Sequence, residues 1–536
     1  MSTPAASLLR LLESSPLRLR AFRLFYIGSI GAALGYTMQA TIAAWLMATL
    51  TPSPFMVALV QTASTAPTLL FGLIAGALAD IVDRRRIILI TQVLLLCATA
   101  TLGAASLAGI IGPASLLVLT FMVGLGFTFY LPAQQASINE LVARTELARA
   151  VALGAVAFNV ARAVGPALAG AIAAWLSSGS ALLASSVFFV FMLVAARGLK
   201  RRERALPGVP ETLLSGVLSG LRFARHSSAM RALILRNLSF AVCASALWAL
   251  LPVIARDQLG MGAGGFGLLS AGFGTGAVLG AMSIPHQLAR RALNTVVIWG
   301  ILVWTASMLV IAATDTAVVA VVGACGAGVA WVYVFASLSA ATQSTAPSWV
   351  RARALAMNLV AVQASLALGS ALWGALATFT GTHIALAASA GVMIVLYALS
   401  RSVRVEMGNE ADVTAGAQLP DLAIAVEPMP DDGPVLIQVE YRIDPENRKA
   451  FLRAIHAVAA TRRRNGATSW RLFRDLGEDG RFVERYVIAS WAEYVRLRSR
   501  MTVADRELQE KAAQFQRPDV PIRVSRLIGC SPMDTE

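Results

Sequence analysis

Twelve long apolar segments, separated by short polar stretches, organise residues 24–400 of this 536-residue chain. A membrane-crossing helix needs roughly 20 mostly apolar residues, and these segments meet that requirement. Six of them precede a long basic loop and six follow it, which predicts an all-α membrane protein with twelve transmembrane helices in two six-helix pseudo-repeats. The segments are 24–48, 55–79, 87–110, 114–137, 149–176, 181–197, 232–255, 264–287, 293–313, 316–339, 354–379 and 382–400.

The two groups of segments repeat each other at a fixed offset of 204 residues, without a gap. A membrane protein built from two similar halves has a cleft between them, and rocking the halves opens that cleft to each side in turn. The repeat therefore indicates transport. The recurring positions are Gly72 as Gly276, Gly76 as Gly280, Gly124 as Gly328, residues 149–153 as 353–357, and residues 165–170 as 369–374.

The basic residues of the apolar region lie on alternate loops. Residues 1–400 contain 24 Lys and Arg but only 9 Asp and Glu, and nearly all of the positive charge falls on one set of loops. Basic loops stay in the cytoplasm, so both termini are predicted to be cytoplasmic. Arg162 and Arg256 are the two basic residues that break this pattern.

The composition excludes several other classes of protein. The chain is 14% charged, against roughly 25% in soluble proteins, and its mean hydropathy is +0.67. The net charge of +15 sits on short loops, where topology explains it better than nucleic-acid binding does. The four cysteines have no metal-site or disulfide spacing. We expect no metal, no cofactor, no nucleic-acid partner and no cleavable signal peptide.

The second segment ends in a motif with a glycine, an aspartate and a basic cluster. Gly76 is small enough to let two helices approach. Asp80, at the membrane edge, could pair with an arginine or cap the start of a neighbouring helix, where the helix dipole favours an anion. Asp83, Arg84 and Arg85 complete the motif. The motif resembles the loop signature of the major facilitator superfamily, which implies a conformational latch. Its departures are Ile81, Asp83 in place of glycine, and Ile284 at the position equivalent to Asp80 in the second half.

The fifth segment carries a helix-bending motif, Gly165, Pro166 and Gly170. A proline inside a helix removes a hydrogen bond and bends it. The Gly-Pro pair resembles the export motif of the same superfamily, which implies efflux; bending without export is the alternative.

Arg162, in the same segment, is the one formal charge that the sequence places deep in a span. Its burial costs at least ~2.5 kcal/mol, so it should face a cavity or a partner. Its function would be to attract an anionic or catechol-like substrate or to act as a conformational contact. The structural alternative is that it only forms hydrogen bonds with helix carbonyls and with Asn159.

Three glutamines are further candidates for the substrate cavity. Gln39, Gln61 and Gln363 lie at midplane depth, where they would line the cavity or bridge helices by hydrogen bonds. No Asp or Glu lies in the apolar core of a span, so proton coupling is implied by resemblance alone. The candidate proton carriers are the edge acids Asp80, Asp83, Asp257 and Asp315.

Outside the spans, the sequence predicts a linker helix and a soluble tail. The linker has apolar residues at helical spacing from Leu213 to Leu221, and is either an interfacial or a soluble helix. The hydrophobic pattern of the tail predicts elements in the order β-α-β-β-α-β, with one long helix over 491–514. This order predicts a small α+β ferredoxin-like domain. The predicted domains are a first six-helix bundle at 1–196, a linker with the linker helix at 197–230, and a second six-helix bundle at 231–400. A second linker at 401–434 and a soluble domain at 435–536 follow.

The tail is similar to antibiotic-biosynthesis-monooxygenase-like domains in residues 463–467 and 490–494. That resemblance implies dimerisation. His456 is the tail's single histidine and is better explained as a helix surface residue than as a catalytic base.

The whole chain resembles the transmembrane secretion effector group, which is related to the enterobactin exporter. The matching stretches are 131–136, 159–170 and 498–505. The resemblance implies an inner-membrane, proton-coupled exporter of siderophores, drugs or similar amphiphiles. The alternatives are an uptake permease for a polar metabolite, and a membrane anchor for a regulatory or enzymatic tail. No ATP-binding loop is present in the sequence.

Overall fold

A computed structural model describes residues 16–143, 146–199, 213–347, 349–401, 403, 405–414 and 428–529. The side chain of Asp80 lies outside the described residues, as do Arg144 and Cys530. The apolar side chains of the linker helix before Gly220 also lie outside them, so the predicted roles of these groups stay predictions.

The apolar segments of the sequence are long helices, six on each side of the linker helix. The first six are α1 Arg20–Leu50, α2 Pro54–Ile81, α3 Arg84–Leu107, α4 Pro113–Leu141, α5 Leu147–Trp175 and α6 Ser178–Arg197. The linker helix is α7 Leu213–His226. The second six are α8 Ser228–Val253, α9 Ala263–Arg290, α10 Leu293–Ala313, α11 Ala317–Thr345, α12 Arg351–Thr380 and α13 Thr382–Leu399.

Within the described residues, eleven of these helices are long and apolar enough to cross a membrane. The helix α1 has 31 residues but is not among them. Tyr36, Thr37, Gln39 and Thr41 interrupt its apolar sequence and lower its hydropathy. The twelfth crossing and the two-repeat architecture therefore stay predictions.

Short polar caps allow the chain to reverse direction between spans. Ser53 accepts a hydrogen bond from the backbone of Met56, just before Pro54 begins α2. Ser177 caps α6 in the same way through the backbone of Ser180, at 3.1 Å. Such caps satisfy backbone N–H groups that the first turn of a helix leaves unpaired.

Glycines bring the second and fourth helices of each half into contact. A Cβ atom on Gly124 of α4 would lie 2.6 Å from the backbone oxygen of Ser64 in α2. A Cβ on Gly328 of α11 would meet the backbone oxygen of Phe273 in α9. Only a residue without a side chain allows backbones to approach this closely.

The tail contains a four-stranded antiparallel sheet with helices on one face. Its strands have the order β2-β3-β1-β4. Alternate residues of β1, from Val435 to Tyr441, are buried, and they pack on Phe451, Ile455 and Trp491 of the helices. The elements are β1 Val435–Arg442, α15 Arg448–Asn465, β2 Ser469–Arg474, β3 Arg481–Ile488, α16 Trp491–Ser499, α17 Val503–Ala513 and β4 Arg523–Ile528, preceded by the short α14 Glu410–Val413.

The prediction of one helix over residues 491–514 is wrong. The segment forms two helices, α16 and α17, separated at Arg500–Thr502. Thr502 accepts a hydrogen bond from the backbone of Asp505, and the Asp505 side chain accepts one from the backbone of Thr502. This capping box begins a new helix and stops the previous one.

The chain forms two compact units. Unit 1 comprises Met1–Val209, Leu235–Leu338 and Asn358–Arg404. Unit 2 comprises Pro210–Ile234, Ser339–Met357 and Val405–Glu536. Unit 2 thus contains the linker helix and the turn between α11 and α12 as well as the tail, which the sequence did not predict.

Candidate functional site

Arg162 lies in the middle of α5 against aromatic rings from both halves of the chain. Its guanidinium carbon is 5.4 Å from the ring centre of Phe158 and 5.9 Å from that of Trp331 in α11. The predicted tie to Asn159 is absent, because the Asn159 amide donates instead to the carbonyl of Ala155. Among the described carboxylates, none forms an ion pair with Arg162. The cation is therefore held by π faces.

Trp331 belongs to a cluster of six aromatic residues in the second half, here called the aromatic cluster. Its ring centre lies 4.1 Å from that of Phe335 and 5.6 Å from that of Trp248. Such edge-to-face and tilted pairs form a rigid apolar wall. The members of the aromatic cluster are Phe240, Trp248, Phe273, Trp304, Trp331 and Phe335.

One polar group of the aromatic cluster has no acceptor within the described part of the chain. The indole nitrogen of Trp248 is buried and unpaired, whereas that of Trp304 donates to the sulfur of Met308 at 2.9 Å. A buried donor without an acceptor is costly. The Trp248 N–H is therefore a group that a bound molecule could satisfy.

Residues of α1 complete the surroundings of Arg162. The ring of Tyr36 stacks on Phe127 with 3.9 Å between centres. The neighbouring Thr37 hydroxyl donates to the carbonyl of Ala161, at 3.0 Å. These contacts tie α5 to α1 at the level of the arginine.

The motif residues of α5 lie where this helix packs against other backbones. A Cβ on Gly165 would meet the side chain of Thr37. A Cβ on Gly170 would lie 2.8 Å from the Cα of Gly267 in α9, and one on Gly267 would lie 2.8 Å from the carbonyl oxygen of Pro166. Gly274 similarly packs on Ala163. We call this helix pair the glycine contact.

Further contacts join the two halves at the end of the helices where α1 ends and α9 begins. The Thr62 hydroxyl donates to the carbonyl of Ala367, at 2.8 Å. Arg256 donates to the carbonyl of Thr51 at 3.0 Å while pairing with Asp257 at 2.7 Å. The halves are therefore closed against each other at this end, and Arg162 lies at the inner limit of the glycine contact.

The predicted latch residues form a different arrangement from the one expected. Arg84 pairs with Glu140 at 2.6 Å and donates to the carbonyl of Ala136. Asp83 caps α3 by accepting from the backbone of Arg85, at 2.9 Å. Sequence reasoning missed Glu140, which ends α4 and is the acid that Arg84 contacts.

The structure places no helix against Gly76. A Cβ at that position would meet nothing within 4 Å, whereas a Cβ on Gly72, one turn earlier, would lie 3.0 Å from the Val360 side chain in α12. The expected close approach therefore occurs at Gly72 in this conformation.

The three glutamines occupy three different helices. Gln39 of α1 is 1% exposed and its amide nitrogen lacks an acceptor in the described region. Gln61 of α2 and Gln363 of α12 are half-buried. Their roles in a cavity stay predictions.

Arg236 is a second buried cation that the sequence analysis missed. It is 3% exposed and donates to the carbonyls of Ser400 and Val403, at 3.1 and 3.0 Å. Its guanidinium also lies 5.0 Å from the ring centre of Tyr397. Arg162 lies in the middle of its helix, whereas Arg236 lies near the start of α8. Arg236 lies near Arg231, at the basic end of α8, so its sequence context is that of a loop.

The long apolar helices define a multi-pass membrane protein. The profile of the transmembrane secretion effector family matches residues 13–532. The chain therefore belongs to this family of the major facilitator superfamily.

Individual relatives agree with this assignment. The chain is 26% identical over 391 residues to the multidrug efflux pump Tap of Mycolicibacterium fortuitum, across 70% of this chain and 92% of that protein. A bacterial homologue of the human lysosomal transporter Spinster, in an inward-facing and unoccupied conformation, has a TM-score of 0.59 at 15% identity, covering 73% of this chain and 97% of that chain. The nucleoside transporter NupG has a TM-score of 0.56 at 14% identity, covering 72% and 98%. These structural likenesses concern the fold alone.

Proposed function

We propose that this transporter is a secondary active exporter of small amphiphilic molecules. Three things support export: the match to the secretion effector family, the relative named as a multidrug efflux pump, and the Gly-Pro motif of α5. Transport of siderophores or drugs is the corresponding expectation from the sequence. An uptake permease would use a polar substrate site, which the aromatic cluster does not favour.

The observation that carries the proposal is the position of Arg162 beside the aromatic cluster. A guanidinium binds carboxylates and catecholates through charge and parallel hydrogen bonds. The cluster offers π faces to a flat ring, and the Trp248 N–H is free to donate. The preferred substrate is therefore a molecule with an aromatic ring and an anionic or acceptor group on one edge. Asn159, Gln39, Gln61 and Gln363 are proposed as further cavity residues.

Alternating access would proceed by separation of the glycine contact. With the halves closed at the Thr51 end, a substrate would reach Arg162 from the end that carries the Arg84 and Arg290 loops. Separation of Gly170 from Gly267 would then open the other side. The Arg84–Glu140 pair and the Asp83 cap are proposed to act as the latch, with Gly76, Asp80 and Arg85 in the same loop.

The proposed orientation rests on the positions of the basic loops, and the proposed driving ion rests on the resemblance to proton-coupled exporters. Basic loops would face the cytoplasm, which places both termini there and the protein in the inner membrane. Protons are the proposed coupling ion. Asp83 is occupied in capping α3 and Asp257 in pairing with Arg256. The two remaining edge acids are Asp80 and Asp315.

The tail is proposed to be a ferredoxin-like domain that mediates dimerisation or regulation. Its strand order and its helices on one face support this fold. His456 donates from Nδ1 to the carbonyl of Leu452 within its own helix, at 2.7 Å, and its ring lies edge-on against Trp470. Such a position suits a packed surface residue better than a catalytic base.

The test is the accumulation of a fluorescent aromatic anion in cells with and without this protein. An exporter lowers the steady-state level of the probe, and a proton uncoupler abolishes the difference. Cells carrying a chain without residues 405–536 should retain part of the flux. Raised accumulation in the presence of the protein would instead favour uptake, and complete loss on tail removal would favour the tail as the active part.

A further inference from the structure

Within unit 2, the tail contacts one side of the turn between α11 and α12. The guanidinium of Arg500 lies 4.5 Å from the ring centre of Trp349 in that turn. Arg500 is 5% exposed, and it is held by Glu493 at 2.6 Å and by the carbonyl of Asn465 at 3.3 Å. An arginine fixed in this way presents a preset flat face to an indole.

The linker helix α7 closes on the other side of the same tryptophan. The ring of Phe223 meets Trp349 edge-to-face, with 6.0 Å between centres. Arg222 of α7 donates to the carbonyl of Gly466 in the tail at 3.2 Å, and approaches Glu493 at 3.9 Å. Trp349 is thus enclosed between the linker helix and the tail. We call this group of residues the clamp; its members are Arg222, Phe223, Trp349, Gly466, Glu493 and Arg500.

An apolar core lies beneath the clamp. Phe223 and Met230 are 1% and 0% exposed, and they pack with Ala346, Val350 and Ala354 from the ends of α11 and α12. These helix ends are therefore buried by the linker helix rather than free in solvent. Burial of this kind resists any change in their spacing.

The segment that leads into the tail adds a second attachment to α11. The backbone N–H of Gly408 donates to the hydroxyl of Ser344 at 3.0 Å. A side chain at Gly408 would collide with the backbone oxygen of Ser344. Further along, Val503 of α17 donates to the carbonyl of Thr414 at 3.0 Å. The segment before the tail is therefore bound to the end of α11, and the tail is bound in turn to that segment.

The clamp also accounts for three stretches that the sequence analysis singled out and that transport does not explain. Residues 463–467 contain Gly466, residues 490–494 contain Glu493, and residues 498–505 contain Arg500. All three stretches meet at the clamp. Stretches that carry two separate family resemblances thus meet at one contact surface.

We propose that the clamp is a conformational restraint on the transport cycle. It holds the ends of α11 and α12 in one arrangement, and it must open when these helices change their spacing during turnover. Anything that fastens the clamp stops transport, and anything that loosens it changes the turnover rate without changing the affinity of the substrate site. This inference rests on the proposed function for its transport readout alone.

The docking itself is tested by labelling a buried position in the full-length protein in membranes. In a background without the native cysteines, Ala346→Cys should react slowly with a maleimide. Adding Trp349→Ala or Arg500→Gln should speed the reaction by roughly fivefold or more. A factor of about five is the lower end of the range by which one site changes another when the two are energetically coupled. Trp349→Phe, which keeps an aromatic face, and the exposed control Arg471→Gln should leave it slow. Equal labelling in all variants would overturn the proposal.

The restraint is tested by cross-linking the double variant Trp349→Cys/Arg500→Cys with a reducible bismaleimide. Transport should stop on cross-linking and return on reduction, while each single variant keeps, after the same treatment, the turnover rate that it has without the reagent. Full transport by the cross-linked protein would overturn the proposal, as would unchanged turnover in variants whose Ala346→Cys labelling shows release. If the cysteine-free parent moves no probe at all, the proposed function fails, and the labelling result still decides whether the clamp exists.

Discussion

At the scale of single residues, the proposed transport mechanism depends most on Arg162 and its aromatic neighbours. Arg162 lies over Phe158 and Trp331, which belong to opposite halves of the chain. A cation buried among rings has lost its hydration and is stabilised mainly by their π faces. Such a charge is poised to accept an anionic partner, which gives it a role in binding as well as in folding.

We expect Arg162→Ala to insert into the membrane normally and to lose transport. Binding of the aromatic anion should weaken by about tenfold or more, since each tenfold change corresponds to about 1.4 kcal/mol, the scale of one charge-assisted hydrogen bond. Arg162→Lys, which keeps the charge but loses the flat fork, should retain part of the activity. Binding to the purified protein measures the effect. Full transport by Arg162→Ala would remove this residue from the mechanism.

The tail has its own buried charge, Glu484, which is 0% exposed. It accepts hydrogen bonds from Arg462 at 3.2 Å, from Trp470 at 2.8 Å and from Tyr441 at 3.3 Å. Burial alone would lower the pKa of Arg462, but Tyr486, Glu484 and Tyr441 together raise it above its ordinary value. Burial also raises the pKa of Tyr486 to about 12. The arginine therefore stays charged at every physiological pH.

Glu484→Ala should destabilise the tail by about 3–5 kcal/mol, because it leaves Arg462 buried without its counter-ion. The matched control is Glu478→Ala. The Glu478 side chain is 48% exposed and pairs with Arg442, and such surface pairs contribute about 0–1 kcal/mol. Thermal unfolding or proteolysis of the tail in the full chain compares the two. Equal stability of both variants would contradict the structural role of Glu484.

Sequence reasoning found some site residues and missed others for identifiable reasons. Arg162 was found because a charge inside an apolar run is visible in the sequence. Arg236 was missed because it stands near other basic residues, and only the fold shows that the end of α13 at Ser400 contacts it. Glu140 was missed because it is a partner in space to Arg84, 56 residues away.

At the scale of helices, the α5–α9 pair is the close backbone contact that we propose closes one side of the transporter. Gly170 and Gly267 allow backbone contact that any larger residue would prevent. The proline of the α5 motif lies at the same contact, since its carbonyl oxygen faces Gly267. The motif therefore shapes the surface along which the two halves separate.

Gly170→Leu should disfavour the closed arrangement, because overpacking costs about 1–3 kcal/mol. A cysteine introduced at Ala58, which is buried at the same end and packs on Gly374, should then react faster with a thiol reagent. The control is Gly391→Leu, since a side chain at Gly391 meets nothing within 4 Å. Unchanged reactivity in Gly170→Leu would show that the glycine contact does not close the protein.

The linker helix provides a pH-dependent element. Burial and the charges of Arg463, Arg225, Arg222 and Arg231 lower the pKa of His226 below its ordinary value. Arg463 belongs to the tail, so part of this effect disappears when the tail leaves. Protonation of His226 therefore favours the undocked state of the tail. The neutral form of His226 makes its full contribution to docking above about pH 6.5, and this contribution is lost as the pH falls below that value.

Docking of the tail should accordingly weaken between pH 7 and pH 5. Labelling of Ala346→Cys, corrected for the intrinsic pH dependence of the reagent, measures the change. His226→Gln should abolish the dependence, whereas His456→Gln, at an exposed position of α15, should preserve it. A pH dependence that survives in His226→Gln would assign it to another group.

At the scale of the whole molecule, the periodicity of the sequence predicted the helices well. Apolar runs fix where spans begin and end, since lipid requires every backbone group to be paired within a helix. The same rule explains the failure in the tail, where water satisfies the backbone and a local cap at Thr502 splits one predicted helix into two. The grouping of the linker and the α11–α12 turn with the tail depends on long-range contacts, such as Arg500 with Trp349, that no local pattern contains.

The direction of movement is the central claim, and inside-out membrane vesicles test it most directly. In such vesicles the basic loops face the medium, so an exporter should accumulate the aromatic anion inside when a proton gradient is applied, and Arg162→Ala should not. Accumulation in right-side-out vesicles alone, or equal accumulation by Arg162→Ala, would contradict the account.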